Sequence, residues 1–221
     1  MTATLAIVGC GPRLEVGLAV EGVPAAAVVG LIGPTPRSDL VMSAIDLLLR
    51  GAGLEPRAIT GVVATRGPGS FTGIRVALAT AQGLATALGA RAHGYSSLLA
   101  QAARTGVERC TAVQPARRGH VYAQSFVRTA AGLLADSEPR ILATAELAAA
   151  SAPVVAPAGL ELPAGTPVAA TDRTVAEALL ALLAAESEPD ASTLAPIYLE
   201  PPPATPVQPK TTPWPLSPQG S

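Results

Sequence analysis

The first hundred residues alternate short apolar runs with longer amphipathic segments. Residues 4–8, 14–20 and 25–32 are apolar runs separated by Gly and Pro, and alternate residues of the second run share one face, as in strands. The links between these runs are shorter than the crossover that parallel neighbours need. The pattern therefore predicts three consecutive antiparallel strands.

Helical spacing of apolar residues begins after the third strand. It predicts one helix over 38–50, with Ser38 as N-cap, and a second that runs to residue 88 and is closed by Gly89. Short strands are expected at 61–65 and 91–95, and Ser96 or Ser97 begins a helix that ends at Gly106. The order β-β-β-α-β-α-β-α over about 105 residues is typical of the ribonuclease-H-like half of the actin, sugar-kinase and Hsp70 superfamily.

The second half is less regular. We expect a hairpin of strands 109–114 and 120–128, a third strand over 133–142, a short helix at 144–150, a strand at 154–155 and an amphipathic helix over 174–186. The Pro- and Gly-rich stretch 151–171 leaves its topology open. From Pro201 onward, eight of 21 residues are Pro, which indicates a disordered or polyproline-like tail.

These patterns predict an α/β protein with mixed sheets flanked by helices. Its expected parts are a ribonuclease-H-like subdomain over 1–105, a smaller subdomain over 106–200 and the tail over 201–221. Charged residues are only 14% and apolar ones 49%, which supplies ample material for a buried core. The net charge of −1 and the single lysine argue against a general nucleic-acid binder that works through phosphate neutralisation alone. The longest apolar run, 25–33, is too short to span a bilayer. Two isolated cysteines, Cys10 and Cys110, fit a reducing cytoplasm.

The segment 66–75 is the most informative stretch. Gly67 and Gly69 permit positive φ, Ser70 or Thr72 is a candidate N-cap, and Gly73 permits close approach of another backbone. A helix N-terminus surrounded by glycines is also a candidate anion or nucleotide loop. The sequence matches neither the Walker A loop nor the dinucleotide-binding fingerprint. The residues themselves leave both a tight structural turn and an anion site open.

The run GPGSFTGIR at 67–75 resembles the signature of the TsaB (YeaZ) family of bacterial tRNA threonylcarbamoyladenosine biosynthesis proteins. Three further segments resemble motifs of that family and follow in the same order: SSL at 96–98, ARRG at 116–119 and PIYL at 196–199. The resemblance extends across residues 5–199.

The resemblance implies a subunit that is not itself an enzyme. Members pair with the homologous catalytic subunit TsaD, which works with the ATPase TsaE to transfer a threonylcarbamoyl group to the adenosine beside the anticodon of ANN-decoding tRNAs. No cofactor of its own is then expected, because ATP or ADP and a metal belong to the partner subunits. The tRNA would be reached through the complex in the cytoplasm, without a membrane.

The resemblance also implies that the first two helices contact the partner, in a heterodimer with the TsaD homologue or in a homodimer. The predicted contact residues are Val41, Ala44, Ile45, Leu48, Ile74, Ala77, Leu78, Ala81 and Leu84. The alternative is that the small residues among them only pack against the domain's own sheet. Arg117 and Arg118 are candidate tRNA contacts, or else form a solvated hairpin turn.

Three positions depart from the family pattern. Val8 stands where the family commonly has Asp, Pro115 replaces an acidic residue before the ARRG motif, and Arg37 replaces a histidine. Without the first carboxylate, phosphoryl transfer by this chain alone is not expected. The two histidines, His93 and His120, have no metal-binding spacing. A stand-alone small-molecule kinase and a dimeric interaction module unrelated to tRNA are the alternatives to the scaffold subunit.

Overall fold

The computed structural model describes residues 1–185 and 194–201, and its first sheet has five strands in the order β3-β2-β1-β4-β5. Strands β1, β2 and β3 are antiparallel neighbours, which confirms the predicted meander, while β4 and β5 run parallel to β1. The bounds are Ala3–Val8 (β1), Leu14–Val20 (β2), Ala27–Leu31 (β3), Ile59–Thr65 (β4) and Arg91–Tyr95 (β5).

The described residues contain four α-helices: α1 (Arg37–Gly51), α2 (Phe71–Leu88), α3 (Ser97–Ala102) and α4 (Val175–Ala184). Helices α1, α2 and α4 contact the first sheet, whereas α3 packs mainly against the second. Helix α2 has Ser70 as N-cap and ends at Gly89 in the left-handed conformation, as predicted. The N-cap predicted for α1 is wrong, because the helix begins at Arg37 and the Ser38 hydroxyl donates to the Asp39 carboxylate instead. Helix α3 ends at Ala102, four residues before the predicted Gly106.

The second sheet has the order β10-β6-β7-β8, and β9 also pairs with β7. Its strands are β6 (Arg109–Pro115), β7 (His120–Thr129), β8 (Gly132–Ala135), β9 (Arg140–Ala143) and β10 (Val154–Val155). The single strand predicted over 133–142 is wrong. The Ser137 hydroxyl accepts the Ser125 amide hydrogen, and Pro139 has no amide hydrogen to donate, so β8 and β9 pair with different ends of β7. The helix predicted over 144–150 is a 3-10 helix, Thr144–Ala149, and another 3-10 turn lies at Pro56–Ala58.

The first sheet is buried on both faces. Leu5 and Ile7 of β1 pack in the core beneath α1 and α2, while Ala6 and Val8 pack in the core that includes α3, α4 and the second sheet. Alternate side chains of a strand point to opposite faces, so one apolar run supplies both cores.

Helix α4 follows the second sheet in sequence but packs on the first. Gly17 of β2 leaves room for Ala176, whose Cβ would lie 3.0 Å from a Cβ at position 17. The carboxylate of Glu15, 2% exposed, accepts the Ala176 amide hydrogen at the start of α4. The division between subdomains at residue 105 stays a prediction, and α4 shows that the later part of the chain returns to the first sheet.

A buried arginine holds the segment that leads into α4. Arg104, 8% exposed, donates to the carbonyl oxygens of Ala156 and Arg173 and to the Thr171 hydroxyl. Burial lowers the pKa of Arg104, and the charge of Glu15 acts in the opposite direction. The stretch 151–171, whose topology the sequence leaves open, is therefore held by the Arg104 side chain together with a short backbone bridge between Val154 and Val168.

Across residues 1–185 and 194–201, no helix is long and apolar enough to cross a membrane. The tail is predicted over 201–221, and all of it except Pro201 lies outside the described residues, as do residues 186–193.

The turn between β1 and β2 lies directly against the first turn of α2. A Cβ on Gly9 would overlap the Gly73 carbonyl oxygen, and a Cβ on Gly73 would overlap the Gly9 carbonyl oxygen. The obstructing atoms are backbone atoms, which cannot rotate away as a side chain can. Gly83, by contrast, lies on the outer surface of α2 with open space where a Cβ would be.

We expect Gly9→Ala to lower the free energy of unfolding by about 3 kcal/mol, because turn and helix must separate. Gly83→Ala is the matched control and should raise the free energy of unfolding by about 0.5–1 kcal/mol, through helix propensity. Urea unfolding of both variants measures the difference. If Gly9→Ala unfolds at the same urea concentration as the unsubstituted chain, the close approach does not constrain the fold.

Candidate functional site

The glycine-rich loop between β4 and α2 meets two distant segments of the chain. Gly67 and Gly69 have φ of +110° and +152°, a region that side chains rarely adopt. A Cβ at position 67 would overlap the Ile197 carbonyl oxygen, and one at position 69 would lie 2.7 Å from the Cys10 carbonyl oxygen. The loop is therefore packed between the β1–β2 turn and the segment around residue 197.

The chain itself occupies part of the N-terminus of α2. The Ser70 amide donates to the Cys10 carbonyl oxygen at 3.2 Å, and the Gly73 amide donates to the Ser70 hydroxyl at 3.3 Å. Thr72, the other predicted cap, is exposed and does not have that role. Two amide groups that would bind an anion thus have internal acceptors, and anion or nucleotide binding by this loop stays a prediction.

Arg37 joins the loop to the β1–β2 turn. Its guanidinium donates to the carbonyl oxygens of Gly9 (3.0 Å) and Gly11 (2.6 Å) and to the Ser70 hydroxyl (3.2 Å). Burial lowers the pKa of Arg37 from its ordinary value. Arg37, which stands where the family has a histidine, therefore donates hydrogen bonds to two carbonyl groups of the neighbouring turn.

Strand β1 itself has no carboxylate at its end, and the carboxylate of Glu15, opposite Val8 on β2, pairs with Arg13 and accepts the Ala176 amide hydrogen. Val8 is buried in the core shared with the second sheet, and the next amide, that of Gly9, donates to the Thr65 hydroxyl at 3.1 Å. Burial raises the pKa of the Cys10 thiol to about 11, so the group is neutral at physiological pH. Among the described residues, no group of three or more His, Cys, Asp or Glu side chains is arranged to hold a metal ion.

Residues 195–200 form a strap over the outer side of the glycine loop. The Ile197 amide donates to the Arg66 carbonyl oxygen at 2.8 Å, and the Arg66 side chain donates to the Ala195 carbonyl oxygen at 2.8 Å. The Tyr198 ring lies 5.1 Å from the Phe71 ring. The strap thus connects β4 and the start of α2.

The far end of the strap contacts the second sheet. The carboxylate of Glu200 forms an ion pair with Arg117 and accepts a hydrogen bond from the Tyr122 hydroxyl at 3.2 Å. Burial and the Glu200 charge both raise the pKa of Tyr122, which therefore remains a donor at neutral pH. A cleft of about 430 Å³ lies between the strap, the glycine loop and the β6–β7 hairpin.

The predicted partner-contact residues lie mainly inside the chain. Eight of the nine are less than 9% exposed and pack with the first sheet, and Leu84 is half-buried. The small residues Ala44, Ala77 and Ala81 pack against the chain's own sheet in this structure, as the alternative prediction has it. Contact of these side chains with a partner stays a prediction.

The outward surfaces of the same two helices have different residues. Ala79, Gly83 and Ala87 are exposed at spacings of four along α2. On α1, Met42 and Leu47 are 53% and 59% exposed. We call these five residues the outer face of α1 and α2. Met42 and Leu47 are five positions, or about 140°, apart around α1, so they lie at opposite edges of its exposed side. The small residues of α2 permit a short distance to the axis of a packed helix.

Arg117 and Arg118 lie in the turn of the β6–β7 hairpin, and both are exposed. Only Arg117 has an ion-pair partner among the described residues, namely Glu200. The structure therefore brings the glycine loop and Arg117 to one cleft, and leaves Arg118 in the solvated turn. Their contact with tRNA stays a prediction.

Sequence reasoning missed three members of this site: the donor role of Arg37, the ring pair Phe71–Tyr198 and the carboxylate of Glu200. Arg37 was noted only as a departure from the family pattern. The one sequence signal for the strap is the PIYL segment at 196–199, because it resembles a family motif and has no local structural reason. Nothing in the sequence pairs Glu200 with Arg117.

Comparisons with known proteins agree with this geometry. Residues 37–162 match the family model described as "TsaD: tRNA N6-adenosine threonylcarbamoyltransferase". Over 118 residues the chain is 29% identical to the tRNA threonylcarbamoyladenosine biosynthesis protein TsaB of Escherichia coli (strain K12), which covers 52% of this chain and 51% of that protein. The chain thus matches about half the length of this curated relative.

Two solved structures resemble the whole fold. YeaZ from Pseudomonas aeruginosa has a TM-score of 0.71 and 24% identity, with 90% of this chain and 100% of that chain covered. A second structure is described as an uncharacterized protein with similarity to peptidase YEAZ from Pseudomonas aeruginosa, with a TM-score of 0.70, 26% identity and the same coverage. These matches confirm the predicted α/β fold with two mixed sheets flanked by helices.

We expect Arg37→Met to lower the free energy of unfolding by about 1–3 kcal/mol, because the Gly9 and Gly11 carbonyl groups lose a charged donor inside the fold. Arg50→Met is the matched control, since Arg50 lies on the same helix and forms only an exposed ion pair with Asp46. Its loss should cost about 0.5 kcal/mol or less. Urea unfolding measures the free energy of unfolding of both variants. If it falls equally in the two, the hydrogen bonds from Arg37 to the β1–β2 turn do not stabilise the fold.

Proposed function

Because the chain belongs to the tRNA N6-adenosine threonylcarbamoyltransferase (TsaD) family, among its TsaB or YeaZ members, we propose that it serves the formation of threonylcarbamoyladenosine in tRNA. Its role is that of a non-catalytic partner subunit, which binds a TsaD homologue and works with a TsaE homologue. The observation that carries the proposal is the family match, because residues 37–162 include α1, α2, the glycine loop and the β6–β7 hairpin.

The structure of the glycine loop supports a non-catalytic role. The loop packs against the backbone of the β1–β2 turn, and Arg37 fills the space beside Ser70. Val8 provides no charge where a phosphoryl-transfer enzyme would use a carboxylate to position a metal. These features favour a scaffold over a stand-alone kinase.

The outer face of α1 and α2 is the surface that we propose for the TsaD homologue. Its exposed Met42 and Leu47 supply apolar area, and the small residues of α2 permit close helix packing. The same surface can serve a homodimer when the partner is absent, because a two-fold contact uses one patch twice. ATP or ADP, the metal and most tRNA contacts belong to the partner subunits in this proposal, and the complex works in the cytoplasm.

Reconstitution tests the function. The chain is combined with the TsaD and TsaE homologues of the same organism, ATP, the threonylcarbamoyl donor and an ANN-decoding tRNA, and modified adenosine is measured by nucleoside mass spectrometry. We expect modification only when the chain is present, and none from the chain alone. Equal modification with and without the chain would overturn the proposal.

We expect Ala79→Arg to weaken binding of the TsaD homologue at least about 30-fold, since burying an unpaired charge in a helix contact costs about 2 kcal/mol or more. Ala79 is exposed in the isolated chain, so its replacement leaves the fold intact. Analytical ultracentrifugation of the mixed proteins measures the complex, and circular dichroism verifies the fold.

Ala131→Arg provides the matched control for this variant. Ala131 is also exposed, lies in the β7–β8 turn of the second sheet and receives the same charge. It should bind the TsaD homologue as the unsubstituted chain does. If Ala79→Arg binds equally well, or if both variants lose binding to the same extent, the outer face of α1 and α2 is not the contact.

A further inference from the structure

The β6–β7 hairpin carries a pair of donors that together hold one carboxylate. Arg117 and the Tyr122 hydroxyl bind different oxygens of the Glu200 side chain. Tyr122 is 9% exposed, whereas the Arg117 side chain is 60% exposed. An arginine combined with a fixed hydroxyl is an arrangement by which proteins bind the carboxylate or phosphate of a ligand.

The carboxylate in this position belongs to the strap, which reaches the hairpin from the other side of the cleft. Between its contacts with Arg66 and the hairpin, the strap crosses the cleft with the Tyr198 ring at its margin, 38% exposed. The ion pair is open mainly on the arginine side, since the Arg117 side chain is 60% exposed and that of Glu200 is 24% exposed. Water and dissolved ions compete for an exposed arginine, so such a pair contributes little to stability. The contact between Glu200 and Arg117 is therefore one that an external anion can replace.

The adjoining cleft has the size and lining of a small-molecule site. Its volume of about 430 Å³ falls within the range of ligand pockets, and its walls include Phe71, Tyr198 and Pro115 beside the donors Arg117 and Tyr122. Aromatic and proline surfaces suit the flat body of a ligand, and the two donors suit an oxyanion at its end.

We propose that Arg117 and Tyr122 form an oxyanion site that Glu200 occupies as an internal ligand, and that a small aromatic molecule bearing a carboxylate or phosphate displaces Glu200 and binds in the cleft. No covalent step is involved. A tethered group competes at an effective concentration on the order of millimolar, so removing the Glu200 charge strengthens binding of the external anion. This site is separate from the outer face of α1 and α2.

The test uses phenyl phosphate and phenylacetate as probes, which share an aromatic ring and differ in the anion. Isothermal titration calorimetry measures their binding to the full chain and to Glu200→Gln. We expect at least one probe to bind the variant about tenfold more tightly or better, and the preferred probe identifies the anion. If neither probe binds Glu200→Gln more tightly than the unsubstituted chain, the proposal is overturned.

A second pair of variants separates the site from general charge attraction. In the Glu200→Gln background, Arg117→Gln should abolish the gain in affinity, whereas Arg118→Gln, one residue further along the same turn, should preserve it. An equal loss in both double variants would overturn the proposal.

The unsubstituted chain gives an independent readout that does not depend on the folding of any variant. With the preferred probe at saturation, the nuclear magnetic resonance signals of the Tyr122 ring and the Arg117 guanidinium should shift while those of Arg118 remain in place. Unchanged Tyr122 and Arg117 signals under saturating probe would contradict binding in the cleft.

Discussion

The contact between the β1–β2 turn and the first turn of α2 is the constraint on which the rest of the site depends. Gly9 and Gly73 meet backbone to backbone, at a distance that no residue with a Cβ can reach. This approach positions the Cys10 carbonyl oxygen to accept the Ser70 amide hydrogen, and positions the Gly9 and Gly11 carbonyl oxygens to accept from Arg37. The absence of a Cβ at Gly9 and Gly73 thus determines which hydrogen-bond donors these three carbonyl groups meet.

That contact also determines what the glycine loop can do. A helix N-terminus with free amide groups is a ready anion site, but here a carbonyl oxygen and a serine hydroxyl already accept from it. The glycines of the loop permit close approach of another backbone, and in this structure that backbone is the β1–β2 turn of the same chain. This is the physical basis for preferring a scaffold role over phosphoryl transfer.

The contacts around the loop become less buried from the inside outward. Cys10 and Thr65 are almost fully buried, Arg37 is half-buried, and in the Arg117–Glu200 pair the arginine side chain is 60% exposed and the glutamate side chain 24% exposed. Stability is concentrated in the inner contacts, because buried polar groups lose most when a partner is removed. The outer contacts of the strap and the outer face of α1 and α2 are therefore the surfaces where binding can occur at little cost to the fold.

The sequence by itself determined the family, the antiparallel meander and the end of α2 at Gly89, and it limited the N-cap of α2 to Ser70 or Thr72, because these rest on local spacing, turn residues and short motifs. It did not determine which side of α2 faces outward. Ala77 and Ala81 are buried, whereas Ala79, Gly83 and Ala87 are exposed, and a helix rich in Ala and Gly shows little polar contrast between its faces.

Only the tertiary structure decided the partners of Arg37 and Glu200, and the split of the predicted strand 133–142. Arg37 donates to carbonyl groups 26 and 28 residues away, and Glu200 pairs with a side chain 83 residues away. Every residue has a backbone carbonyl group, so residue types do not show which carbonyl group accepts a hydrogen bond. An ion pair between distant positions likewise produces no periodic pattern in the sequence. Such contacts are fixed by how the sheets and the strap pack together, which no local pattern encodes.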